Sequence, residues 1–92
     1  MADMHSMLVS ILGGGVISHY HRGGQLFWSW GLVKVHHEIS IDGTPYVITQ
    51  ALNKEEYWIG VLNKNKMNMI EEERVFYSEI ELLGYITALL DE

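Results

Sequence analysis

The chain has 92 residues, 48% of them hydrophobic, no cysteine, and a formal charge of −6. That length suits one domain, 1–92, able to bury roughly 60–70% of its unfolded surface, and the missing cysteines exclude a disulfide framework, a thiolate metal site and a thiolate nucleophile, which fits a cytoplasmic protein. The acidic balance excludes nucleic-acid binding by charge, since phosphates are neutralised by clustered Lys and Arg.

The apolar run over residues 7–17 is interrupted by Ser10 and three glycines, and its leader carries no positive residue. At 11 residues it is too short for a span of about 20, and it is no signal peptide, so the sequence reads as soluble, with no membrane partner. Its first part, MLVSI at 7–11, fits a strand or a helical turn equally. Gly13-Gly14-Gly15 reads as a flexible turn; without a following Lys-Ser/Thr it is no phosphate loop. Residues 16–22, VISHYHR, read as a strand with Ile17, His19 and His21 on one face.

Residues 25–52 organise the rest. In the predicted long hairpin, Val33, Val35, His37, Ile39 and Ile41 share the buried face, and Lys34, His36, Glu38 and Ser40 the other. Before Gly31 the apolar set moves to Leu26, Trp28 and Trp30, a phase shift that a β-bulge at Gly31 would absorb. Asp42-Gly43 is a strong hairpin turn signal, and the returning strand should bring Tyr46, Ile48 and Leu52 to the core.

Residues 53–56 form a polar loop, and YWIGVL at 57–62 is apolar on both faces, as in a covered strand. A turn at 63–66 precedes a short antiparallel return at 67–70, a solvated bend or edge at Glu71, Glu72 and Glu73, and an extended piece at 74–77. Ser78 and Glu81 have capping-box spacing, opening a helix with one broad apolar face: Ile80, Leu83, Ile86 (or Thr87) and Leu90 at helical spacing, flanked by Leu82 and Leu89. Close approach of this helix to the sheet would explain Gly84. The fold class is α+β: a twisted antiparallel sheet of four or five strands with one C-terminal helix packed on one face.

Two sets of residues point to function. His19 and His21 stand at i and i+2, and His36 and Glu38 repeat the spacing, so three imidazoles and a carboxylate could hold zinc or another divalent metal such as iron or manganese. Gly13, five residues, then His19-Tyr20-His21 resembles the opening of the first cupin motif, which implies a metal-binding β protein. Gln25 stands where that motif has glutamate, Gly31 comes one residue early, and the second motif is absent, Pro45 having no histidine after it. The resemblance spans 19 residues, and the chain is not assigned to that family. His37, on the core face, reads as a hydrogen-bonded buried imidazole.

The second set is acidic. From Lys54 onward nine acids face four bases, a net of −5, against −1 before it. Glu71, Glu72, Glu73 and an exposed Trp58 are the candidate protein contacts. With no nucleophile elbow and no converging carboxylate pair, the expectation is a small acidic non-enzymatic binding module, an inhibitor or accessory protein. It would bind a partner with a basic surface, or form a homodimer through a sheet edge. The alternative is a metal-binding β protein, or a small metal-dependent enzyme, using His19, His21, His36 and Glu38; otherwise no cofactor is implied.

Overall fold

Alternating apolar and polar residues build the centre of the sheet. Strands β3 (Leu32–Ile41) and β4 (Thr44–Ala51) pair antiparallel from Ile41↔Thr44 to Lys34↔Ala51. Asp42 and Gly43 both take positive φ, 51° and 82°, the combination a two-residue hairpin turn needs to match strand twist. This computed structural model describes residues 4–12, 20–22, 26–29 and 32–91, with side chains over 4–12 and 34–91.

Strand β5 (Tyr57–Asn63) pairs with β4 and, after a 3₁₀ turn at Lys64–Lys66, β6 (Met69–Phe76) pairs with β5. On the other side of β3, β1 (Tyr20–Arg22) and β2 (Leu26–Ser29) lie one after the other along the same edge. Among the described residues the result is an antiparallel sheet of six strands in five ranks, β1/β2, β3, β4, β5, β6.

The predicted long strand is thus two. Ser29 pairs with Leu32, so the chain reverses where a bulged continuation was expected. A one-residue phase shift and a two-residue reversal leave the same mark on an alternating sequence. The bulge position Gly31, the glycine run 13–15 and residues 16–19 of the predicted first strand lie outside the described residues.

Two helices cover one face. The ambiguous run 7–11 falls within α1 (Met4–Leu12), which buries Met4, Leu8 and Leu12 at helical spacing, and the C-terminal helix α2 (Glu79–Leu90) buries Leu82 and Ile86. Together they enclose Ile39, Ile41, Ile48, Tyr57 and Ile59. Leu8, Ile39, Ile48, Ile59, Leu82 and Ile86 are fully buried, each worth about 1.5–3 kcal/mol of transfer free energy. No helix among the described residues is long and apolar enough to cross a membrane.

Four local readings change. Leu52 is half exposed because β4 ends at Ala51, whose N–H bonds the Glu56 carbonyl. In α2 the buried stripe runs through Leu82 and Ile86 with Tyr85 and Leu89 alongside, leaving Ile80 81% exposed. The helix is apolar around most of its circumference, so periodicity alone allowed either stripe. Gly84 is on its exposed side with nothing near it, so it answers no close approach. At the helix start, Ser78 makes no side-chain cap; the Glu79 N–H instead reaches the Glu55 carboxylate, 3.4 Å away across the 53–56 loop.

Candidate functional site

The histidines are placed as follows. His19 lies outside the described residues. His21 sits on β1 opposite Ile39, while His36 and Glu38 sit on β3 opposite Thr49 and Val47. Directly paired residues share a sheet face and neighbours alternate. The register position of His21 therefore goes with His37 and Ile39, and those of His36 and Glu38 with the other face. Among the described residues no group of three or more His, Asp or Glu is placed to hold a metal ion.

His37 is buried, and its Nε2 lies 3.2 Å from the Gln50 Oε1, as expected of a core imidazole. His36 is half-buried on the face away from the helices. Burial, and then the positive charge of Lys34, hold its pKa below the ordinary 6.5. Lys34 stands 5.0 Å over the Trp58 ring, a cation–π pair spanning β4 above the buried Thr49 and Ala51. Trp58 is accordingly half-buried, one strand in from the sheet's edge and opposite Val75.

That edge is β6, which among the described residues is hydrogen-bonded in the sheet to β5 alone. Its three glutamates lie within the strand, where Arg74 pairs with Ile59 and Glu71 with Val61, so Glu72 and Glu73 together oppose Gly60. This is a β-bulge, and Glu72 takes the left-handed φ of 54°. Gly60 makes it possible, because a Cβ there would meet the Ile70 side chain and lie 2.9 Å from the Glu71 carbonyl oxygen.

The three acids differ in their ties. Glu71 accepts a 3.0 Å hydrogen bond from the Asn63 side chain and lies 3.6 Å from the Lys66 ammonium. Glu72 and Glu73 are exposed, and among the described residues no hydrogen bond or ion pair engages either carboxylate.

No family model, curated protein or solved structure matches this chain. Its function must be argued from the surface itself, and there β6 stands out for apolar exposure. Of seven exposed large apolar residues among those described, five lie within residues 67–80: Met67, Met69, Val75, Tyr77 and Ile80. Met67 is 94% exposed and left-handed at φ 56°, a combination that neither burial nor backbone preference explains. The sequence reading took the acids and missed these side chains. The signal is Met67, Met69 and Val75 flanking the acidic triplet; the register puts Met69 and Val75 on opposite faces of the sheet, so apolar surface is exposed on both sides of the edge.

Beside the edge, a cleft of about 560 Å³ opens where β4, β5 and β6 meet α2. Tyr46, Ile59, Val61 and Leu89 line its apolar part, and Glu72, Glu73 and Arg74 its polar side. The Arg74 guanidinium lies 5.3 Å over the Tyr85 ring, which also packs tilted against Phe76. At the start of α2, the buried Tyr57 phenol is held above its ordinary pKa by burial, and then by Glu79 and Glu55.

Proposed function

We propose that the chain is a small non-enzymatic binding module, acting in the cytoplasm, that takes a protein partner along β6. The observation that carries this is the coincidence of an unpaired strand edge, five exposed apolar side chains and two unengaged carboxylates on one short stretch. An open edge offers backbone N–H and C=O groups to an added strand. The exposed apolar side chains on either side of the edge add contact area, and the carboxylates select a partner with basic side chains and speed its approach. Covering that partner's basic surface is how an inhibitor or accessory protein acts. A second copy pairing through the same edge would bring the Glu72 and Glu73 charges of both chains together, which disfavours self-association there.

Extended peptides alternating valine with lysine, and matched ones alternating valine with glutamate, test the reading by fluorescence anisotropy and amide chemical shifts. The lysine series should bind, shift the amides of β6, and weaken as salt rises from low to physiological. Equal binding of both series, or affinity indifferent to salt, would overturn it.

A further inference from the structure

The cleft beside β6 has features a plain edge does not need. It combines carboxylates without partners, tyrosine surface from Tyr46 and Tyr85, and an apolar floor of Ile59, Val61 and Leu89. Its volume is within the range of sites that enclose a side chain or small ligand. The only cation among its lining residues, Arg74, is drawn onto Tyr85, so Glu72 and Glu73 give the lining a net charge of −1. A planar guanidinium suits this lining, since it stacks on aromatic faces and pairs with carboxylates through fixed donors.

We infer that the cleft receives an arginine side chain of the partner bound along β6, with Glu72 and Glu73 pairing the guanidinium and Tyr46 flanking its stem. The inference rests on the edge reading, and it gives Arg74 a definite part. Arg74 is the like charge an incoming guanidinium must tolerate, and it occupies the Tyr85 face.

N-acetyl-arginine methylamide, and the citrulline compound in which the charge is lost at nearly constant shape, separate the possibilities by ¹H–¹⁵N titration. The arginine probe should shift the amides of Gly60, Glu72, Glu73 and Tyr85, and the citrulline probe should not. Glu73→Gln and Glu72→Gln should each weaken arginine binding by roughly two- to fivefold, as for exposed charge pairs. Arg74→Gln should tighten it by a similar factor. Equal response to both probes, no shift at roughly 50 mM, enough to fill a millimolar site, or loss of binding in Arg74→Gln would each overturn the inference. The alternating valine–lysine peptides report separately on the edge: if they bind while the arginine probe does not, the cleft assignment fails and the edge reading stands.

Discussion

His36 shows how burial and a same-face neighbour together set one residue's behaviour. Lys34 is two positions away and on the same face, and its charge adds to burial in resisting protonation of the ring. A histidine whose folded pKa lies below its unfolded value binds its proton less readily in the folded state. Its contribution to stability is then complete above about pH 6.5 and is lost as pH falls through that value toward the lowered one. Urea unfolding at pH 7.5 and pH 5.5 should show that His36→Gln reduces the stability difference between the two; an unchanged difference would mean that His36 does not titrate with folding. His37 is buried, with its Nε2 within hydrogen-bond distance of the Gln50 Oε1. Gln50→Leu should cost about 1–3 kcal/mol in the same measurement, the penalty for removing a buried group's partner. Alternation along β3 was enough to separate these two histidines. It could not show Gln50 facing His37, since that rests on diagonal proximity between strands.

At the level of elements, two glycines carry opposite predictions. Gly60→Ala would press a methyl group against the Ile70 side chain and the Glu71 carbonyl. Overpacking of this kind costs about 1–3 kcal/mol, and here it should also disturb the bulge, visible as amide shifts at Glu72 and Glu73. Gly84→Ala meets nothing and should stabilise the protein by about 1 kcal/mol, because alanine is the better helix former; thermal melts of the two variants should move apart. Neither outcome was legible in the sequence. Gly84 suggested a close approach that is absent, and Gly60 passed as one apolar position in YWIGVL.

What the sequence did show at this scale was the central hairpin, because period-two alternation and Asp42-Gly43 agree there. It also showed the C-terminal helix and its broad apolar face, with Ile86, Leu82 and Leu89 in it, though it centred that face too near the exposed Ile80. Register across β5 and β6 was out of reach. Local preference leaves the acidic triplet as a bend or an edge; pairing with β5 makes it part of the edge strand, with a bulge in it.

For the whole molecule, charge and shape point the same way. Five acids and one base lie within residues 67–81, on the side of the sheet that ends in β6. Association through this side should be fast at low salt and slowed by screening. Replacing both Glu72 and Glu73 by Gln should lower the on-rate for the lysine-bearing peptides several-fold with a smaller change in the off-rate, measured by stopped-flow fluorescence. A change confined to the off-rate would mean that the two side chains act only after docking. Both carboxylates are exposed and unengaged, so folding stability should hardly move. Global charge asymmetry was plain in the sequence. Its concentration on an open edge was not, since that requires knowing that β6 is last in the sheet.

The bulge opposite Gly60 also sets a measuring rule. Met69 to Glu71 keep step with one end of β5 and Arg74 to Phe76 with the other, but the two runs are out of phase by one residue. A regular guest strand can stay in step with β6 for only about three residues, roughly 10 Å, before its side chains would have to exchange faces. The edge therefore acts as a vernier: it admits a short word, or a longer one carrying its own extra residue at the matching point, and it gives an endlessly repeating strand no continuous track along which to grow.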